Sequence, residues 1–152
     1  SFIEIERGGV SYTIDTLREL GHIYGKKAEL FFIIGIDAFL EIEAWKDAEA
    51  LLASCNFIVI MRTSFQCRDL KKITLLKLPD DKLTAMDKGE MESLRLPIKG
   101  GNYLYLLNIT PVDISSISSR DIRSRILSHK NFKYLLPESV ELYIIKNRLY
   151  GK

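Results

Sequence analysis

With 152 residues and a hydrophobic share of 47%, the chain has the length and composition of one soluble domain with a single core. Its 22 basic and 20 acidic residues nearly cancel, which excludes a strong overall attraction to nucleic acid or to an anionic membrane. No apolar run approaches the roughly 20 residues that span a bilayer, so we expect a cytoplasmic protein that binds neither membrane nor nucleic acid.

The cysteines and histidines form neither a metal-binding pattern nor a disulfide framework. Cys55 and Cys67 are not a CxxC pair, and His22 and His129 are far apart in the sequence. Cys55 begins an apolar run, which is typical of a small buried residue. We therefore expect no metal ion held by these side chains.

The start of the chain predicts a strand, a loop and a helix. Apolar and acidic residues alternate over residues 2–6, which favours a short strand, and two glycines then permit a turn. Residues 14–24 carry apolar side chains at helical spacing. The hydroxyls of Ser11 and Thr13 at the helix entry either cap the helix or, with its free N–H groups, hold a carboxylate or a phosphate.

The most informative stretch is residues 30–47. Five successive apolar residues end at Gly35, which is the pattern of a strand covered on both faces within a parallel sheet. Ligands bind at the carboxyl ends of such strands. Asp37 either caps the following helix or accepts hydrogen bonds from ribose hydroxyls or an amino group. Trp45 either fills the core or offers a flat face for stacking.

Two further apolar runs complete the predicted sheet. A short helix over residues 47–54 leads to the run at residues 57–61, and another run spans residues 103–109. Strands that alternate with helices indicate a parallel sheet joined by right-handed crossovers. Arg62 then stands at the same carboxyl edge as Gly35, where it is either a solvated side chain or part of a site.

The segment from 66 to 102 is interpreted as an insertion or surface excursion within a single domain over residues 1–152. Charged and glycine-containing pairs such as Asp80-Asp81 and Lys88-Gly89 interrupt it repeatedly. A structureless loop of this length is unusual in a compact domain, so we expect some secondary structure or a role in an oligomer contact.

A serine-rich stretch precedes the first of two helices near the end of the chain. Ser118 and Asp121 have the spacing of a capping box. Ser119, the helix N–H groups and the guanidinium of Arg120 or Arg123 are placed to hold a polyphosphate through charge-assisted bonds and the helix dipole. A last helix begins at Pro137-Glu138 and is expected to pack its apolar face inward.

Together, these motifs resemble bacterial nicotinate-nucleotide adenylyltransferase, of the HxGH nucleotidyltransferase superfamily. Apart from residues 66–102, the resemblance covers nearly the whole chain. It is carried by Glu6-Arg7-Gly8-Gly9-Val10-Ser11-Tyr12-Thr13-Ile14-Asp15-Thr16-Leu17, Phe32-Ile33-Ile34-Gly35-Ile36-Asp37, Trp45-Lys46, Phe57-Ile58-Val59-Ile60-Met61-Arg62, Ile117-Ser118-Ser119-Arg120-Asp121-Ile122-Arg123, Tyr134-Leu135-Leu136-Pro137-Glu138-Ser139-Val140, Tyr143-Ile144 and Leu149-Tyr150.

The resemblance implies an α/β, Rossmann-like open parallel sheet with flanking helices, and transfer of AMP from ATP to nicotinate mononucleotide with Mg²⁺. The implied products are deamido-NAD and pyrophosphate, a step of NAD biosynthesis. The residues implied to bind the mononucleotide are Ser11, Tyr12, Thr13, Trp45 and Lys46. Those implied to bind ATP are Gly35, Asp37, Arg62, Ser118, Ser119 and Arg123.

The sequence contains no HxGH motif, so the catalytic residues are not assigned. We expect the chain to be the carboxyl-terminal portion of such an enzyme, inactive by itself, with an unpaired edge on the strand at 30–35. Two alternatives stay open. One is a non-catalytic module that binds nucleotide or forms a homo-oligomer, and the other is a different adenylyl- or cytidylyltransferase of the superfamily. The Ser11-Tyr12-Thr13 and Trp45-Lys46 motifs favour the nicotinate enzyme over the latter.

Overall fold

Helices and strands alternate in a computed structural model that describes residues 1–25, 27–62, 64–108 and 117–151. They form two compact units, Ser1–Ile109 and Thr110–Lys152, each of which is described by itself. The elements of the first unit are α1 (Ile3–Arg7), α2 (Thr13–Tyr24), β1 (Phe31–Gly35), α3 (Ile36–Phe39), α4 (Ala48–Leu52), β2 (Asn56–Ile60), α5 (Asp80–Asp87), β3 (Ser93–Pro97) and β4 (Tyr103–Leu107), with 3₁₀ turns at Ile42–Ala44, Cys67–Lys72 and Lys99–Gly101.

The four strands form one sheet in the order β1-β2-β4-β3. β1 pairs with β2 and β2 with β4, both in parallel, whereas β3 pairs antiparallel with β4. The three strands predicted from apolar runs are confirmed, as is the α/β Rossmann-like fold. The predicted end of the third run, at residue 109, lies outside the described residues.

One face of the sheet carries the core of the first unit. Phe57 of β2 is fully buried, and its ring contacts those of Phe32 and Phe39, with centroids 5.9 and 5.5 Å away. Leu104 and Leu106 of β4 continue this face and are also fully buried. Close packing of large rings here holds the helices of the unit against the sheet.

The opposite face is open at β1, where the prediction of a strand covered on both faces is wrong. Phe31 is 45% exposed and Ile33 is 66% exposed, while Ile34 on the core face is buried. β1 also has a neighbour on one side only within the part of the chain that the structure describes. The expected unpaired edge is therefore present, and a continuous apolar run proved compatible with a strand that has one exposed face.

The predicted strand at residues 2–6 is wrong, because Ile3–Arg7 is a short helix, α1. Two acidic side chains in its first turn suit the positive end of a helix. The Arg7 guanidinium bonds Glu19 at 2.7 Å and Thr16 at 3.2 Å, which fastens α1 to α2. An alternation of five residues was too short to separate strand from helix.

Residues 66–102 contribute to the sheet and to the core. β3 places Leu94 and Leu96 on the core face, and α5 buries Leu83 and Met86. The Glu43 carboxylate anchors the middle of the segment, since it accepts bonds of 2.9 Å from the Thr74 hydroxyl and the Leu75 N–H. Whether this segment is an insertion into a single domain stays a prediction.

Two adjacent glycines in the Lys99–Gly101 turn allow a matched test of packing. Gly100 and Gly101 have similar positive φ values, 71° and 77°, but a Cβ on Gly100 would press against the Ala53 carbonyl oxygen, whereas one on Gly101 meets nothing within 4 Å. We expect Gly101→Ala to cost about 1 kcal/mol, the strain of a left-handed alanine. Gly100→Ala adds a backbone clash and is expected to cost about 3 kcal/mol.

Urea unfolding of both variants checks this expectation. Equal losses of stability would contradict it, since the two positions share their backbone conformation and differ in what surrounds the added methyl group.

The second unit contains α6 (Ser119–Leu127) and α7 (Glu138–Lys146) within its described residues. Both predicted helices are confirmed. Ile122 of α6 and Ile144 of α7 are buried, but the expectation that the last helix packs its apolar face inward is only partly met, since Val140 and Tyr143 are exposed.

None of the helices in the described ranges is both long enough and apolar enough to cross a bilayer.

Candidate functional site

A cavity of about 330 Å³ lies between the start of α2 and the loop that joins the Ile42–Ala44 turn to α4. It brings together all five residues that the resemblance assigns to the mononucleotide. Its lining is Ser11, Tyr12, Thr13, Ile14, Ala44, Trp45, Lys46 and Leu51. A cavity of this size is at the lower end of the range for small-molecule sites.

Trp45 serves both the core and the cavity. Its indole is partly buried, packs against the hydrophobic core and meets the Phe32 ring at 6.2 Å with an interplanar angle of 65°. It also lines the cavity. The two interpretations of this residue, core and stacking surface, are therefore compatible.

The helix entry at Ser11 and Thr13 is not a serine or threonine cap. Tyr12 occupies the N-cap position of α2, and among the described residues no side chain caps that helix. The first N–H groups of a helix have no acceptor within the helix, and the helix dipole adds a partial positive charge there. The cavity therefore opens onto a helix end that favours a carboxylate or a phosphate.

Lys46 is held at the cavity by two contacts that sequence reasoning missed. Its ammonium lies 2.7 Å from a carboxylate oxygen of Asp15 and 4.5 Å from the centre of the Tyr12 ring. The hydrogen bond from Lys46, with the positive charges of Lys46 and Arg18, lowers the pKa of the Asp15 carboxyl below its ordinary value. Asp15 is thus ionised at neutral pH.

Gly35, Asp37 and Arg62 form a second group at the carboxyl ends of β1 and β2. The Arg62 guanidinium lies 3.4 Å from a carboxylate oxygen of Asp37, and both side chains are partly exposed. Asp37 is in the first turn of α3 rather than at its N-cap, which is Gly35, so it does not cap the helix as one interpretation proposed. The pair leaves carboxylate and guanidinium groups accessible to a ligand.

Gly35 is needed here for space rather than for backbone freedom. A Cβ on Gly35 would lie 2.6 Å from the nearer Asp37 oxygen, although the φ of Gly35 is an ordinary −73°. We expect Gly35→Ala to leave stability within about 0.5 kcal/mol, because the exposed carboxylate can turn away. The displacement is expected to break the Asp37–Arg62 pair.

Carboxyl ¹³C NMR of the wild type and the Gly35→Ala variant tests whether the Asp37–Arg62 pair is broken, since the Asp37 resonance should then shift. An unchanged Asp37 resonance in the variant would show that the carboxylate does not occupy the space beside Gly35.

The second unit gathers Ser119 and Arg123 around a cavity of about 190 Å³ at the start of α6. The Ser118 hydroxyl accepts a bond of 3.1 Å from the Asp121 N–H, which is one half of the predicted capping box. The Asp121 carboxylate pairs with Arg125 at 2.7 Å. The expectation that these residues meet Asp37 and Arg62 around one nucleotide stays a prediction.

The chain is similar to several bacterial enzymes named as probable nicotinate-nucleotide adenylyltransferases. It is 41% identical to that of Thermoanaerobacter sp. (strain X514) over 152 residues, which is all of this chain and 62% of the relative. It is 40% identical to that of Moorella thermoacetica over 97% of this chain and 58% of the relative. The relative in Geobacter sulfurreducens is 41% identical over 99% of this chain, which is 66% of its own length.

Solved structures show the same fold. The nicotinic acid mononucleotide adenylyltransferase of Plasmodium falciparum, in its complex with APC, matches 94% of this chain and 60% of its own with a TM-score of 0.61 at 21% identity. Its complex with NaAD gives the same TM-score. No protein-family model matches the chain. The resemblance found in the sequence is confirmed, and the chain spans about three-fifths of the length of the first of these relatives.

Proposed function

We propose that this relative of the bacterial nicotinate-nucleotide adenylyltransferases supplies the mononucleotide-binding part of such an enzyme. The complete enzyme would transfer AMP from ATP to nicotinate mononucleotide, with deamido-NAD and pyrophosphate as products. The proposal draws on relatives that are 40% and 41% identical to nearly all of this chain. The whole reaction is proposed for a protein of the relatives' length.

The cavity at Trp45 is the observation that carries the proposal. It combines an indole, a helix amino end and an ammonium group within about 330 Å³. An indole suits a flat pyridine ring, while the helix end and the ammonium suit the ring carboxylate and the phosphate. One small cavity thus presents complementary groups for the pyridine ring and for the two anionic groups of nicotinate mononucleotide.

The proposed reaction needs no nucleophilic side chain. A phosphate oxygen of the mononucleotide attacks the α-phosphorus of ATP, the bond from that phosphorus to the β-phosphate oxygen breaks, and its electron pair leaves with pyrophosphate. Protein groups contribute by aligning the reactants and by stabilising the developing negative charge. The cysteines fit this absence of a nucleophile, since burial raises the pKa of Cys55 and of Cys67 to about 12.

Each group of residues has a proposed part in that alignment. Trp45 stacks on the pyridine ring, and the start of α2 with Lys46 holds the anionic groups of the mononucleotide.

On the ATP side, Asp37 accepts bonds from the ribose or an amino group of ATP, while Arg62 neutralises phosphate charge. Ser118, Ser119 and Arg123 at the start of α6 bind the phosphates that leave.

The carboxylate beside Arg62 suits Mg²⁺ only when the phosphates of ATP supply further oxygen ligands. Asp37 provides one carboxylate, and it is shared with Arg62 at 3.4 Å. Mg²⁺ is commonly bound by one or two carboxylates together with substrate phosphates and waters. When bound, the ion would neutralise charge on the phosphates of ATP.

A chimera tests the proposed function. The Thermoanaerobacter relative has a part that the match with this chain does not cover, and we expect that part to be amino-terminal. The chimera consists of that part followed by this chain. We expect the chimera to release pyrophosphate when ATP, nicotinate mononucleotide and Mg²⁺ are all present, and this chain alone to release little. A folded chimera that is active only with another acceptor would identify a different transferase. A folded chimera that is inactive with every acceptor, although its parent enzyme is active, would favour the non-catalytic module.

A further inference from the structure

We propose that Asp15 is a positioning residue for the Trp45 cavity. In this proposal it holds the Lys46 ammonium beside the Tyr12 ring and, through Arg18, helps to fix the loop that carries Trp45. The inference deepens the proposed function and rests on it for the identity of the ligand.

Four charged side chains alternate in sign along a continuous path, which we call the ion-pair chain: Lys46, Asp15, Arg18 and Asp47. The Lys46 ammonium lies 2.7 Å from one Asp15 oxygen, and the Arg18 guanidinium lies 3.4 Å from the other. Arg18 also reaches the Asp47 carboxylate at 3.0 Å. Asp15 and Arg18 belong to α2, so the ion-pair chain ties that helix to residues about 30 positions later in the sequence.

The loop that contains Trp45 depends on such ties because it lies between regular elements. Residues 45–47 connect the Ile42–Ala44 turn to α4, and Asp47 adopts a left-handed conformation with φ of 51°. The ion pairs attach the two residues that directly follow Trp45 in the sequence. They therefore help to set the distance between the indole and the start of α2, both of which line the cavity.

The effect of Asp15 should be seen in binding rather than in global stability. Its side chain and those of its partners are partly exposed, and exposed ion pairs contribute little to folding. Lys46 and Asp47 are exposed and lie outside the regular elements, so the loss of these ties affects them more than it affects the core. A misplaced indole or ammonium would weaken every contact that depends on their separation.

The negative charge of Asp15 would by itself repel an anionic ligand. Lys46 and Arg18 compensate this charge at distances of 2.7 and 3.4 Å. The geometry therefore predicts that positioning outweighs repulsion, so that removing the charge weakens binding. Tighter binding after removal would indicate the opposite balance.

Asp80 provides a matched control. It lies in the first turn of α5, as Asp15 lies in the first turn of α2, and its carboxylate pairs with Lys71 at 2.8 Å. Neither Asp80 nor Lys71 lines the Trp45 cavity, whereas Asp15 pairs with Lys46, which does. Asp15→Asn and Asp80→Asn thus each remove one carboxylate charge from a pair with a lysine, and only the first of these lysines lines the cavity.

The experiment uses the emission of Trp45, the one tryptophan of the chain. Acrylamide quenching without ligand is expected to be about twofold stronger in Asp15→Asn than in the wild type, as the indole becomes more accessible. Calorimetric titration with nicotinate mononucleotide is expected to show a roughly fivefold weaker affinity, the size of effect expected when the exposed pairs with Lys46 and Arg18 are both lost. Asp80→Asn is expected to match the wild type in both measurements, and Asp15→Glu, which can still reach Lys46, to recover most of both.

The outcomes separate the inference from the function on which it rests. Quenching and affinity in Asp15→Asn that equal those of Asp80→Asn would overturn the positioning role, as would tighter binding. If the wild type fails to bind the mononucleotide while Asp15→Asn still shows the stronger quenching, the ion-pair chain positions the loop and the proposed ligand is wrong.

Discussion

Replacing Trp45 with alanine is expected to weaken the binding of nicotinate mononucleotide by roughly 5- to 150-fold. Stacking of a base on an aromatic side chain contributes about 1–3 kcal/mol by alanine substitution, and the pyridine ring presents a comparable flat face. The partly buried indole of Trp45 lines the cavity beside Lys46 and the start of α2. Isothermal titration calorimetry measures the change without relying on the removed fluorophore.

Trp45→Phe is the control for this expectation. In the wild type the Phe32 ring lies 6.2 Å from the Trp45 ring. The variant keeps an aromatic face and most of this packing, so most of the affinity should remain. If the alanine variant stays folded and binds as tightly as the wild type, Trp45 is a core residue and does not stack on the ligand.

Phe57→Ala is expected to cause the largest loss of stability, about 3–5 kcal/mol in the free energy of unfolding. Its side chain is 0% exposed and contacts the rings of Phe32 and Phe39. The substitution leaves a cavity in the middle of the sheet, between β1 and β4, where neighbours paired on both sides limit collapse. Denaturant unfolding followed by circular dichroism provides the measurement.

Phe31→Ala is the matched variant on the other face of the sheet. Phe31 is 45% exposed and lies at the edge strand, although its ring still reaches Tyr105 at 6.1 Å. We expect a loss of about 1 kcal/mol, in line with partial burial. Similar losses for the two variants would mean that the two faces are buried alike, contrary to the structure.

Three of the four strands could be predicted because each is a continuous run of apolar residues. β1, β2 and β4 are continuous apolar runs, a pattern that few alternatives satisfy. β3 was missed because Ser93–Pro97 places only two apolar side chains on the core and ends in a proline, as edge strands often do. The helix at Ile3–Arg7 was mistaken for a strand because its contacts with α2 decide its conformation.

The residues that line the candidate site could be predicted from the sequence, but the ion pair that holds Lys46 could not. The resemblance assigned Tyr12, Trp45 and Lys46 to one substrate, and the structure places all three around one cavity. The pairing of Asp15 with Lys46 joins residues 31 positions apart, and no local pattern specifies such a partner. Asp15 lies in the first turn of α2, but its partner could be found only from the fold.

Titration of the 152-residue chain with nicotinate mononucleotide, followed by Trp45 fluorescence, tests the central claim most directly. The single tryptophan lines the cavity, and N-acetyltryptophanamide corrects for light absorbed by the ligand. We predict quenching that saturates with a midpoint below about 1 mM, within the usual range for enzyme substrates. Fluorescence that follows the correction curve, with no saturable component well above that concentration, would contradict the assignment of this cavity to the mononucleotide.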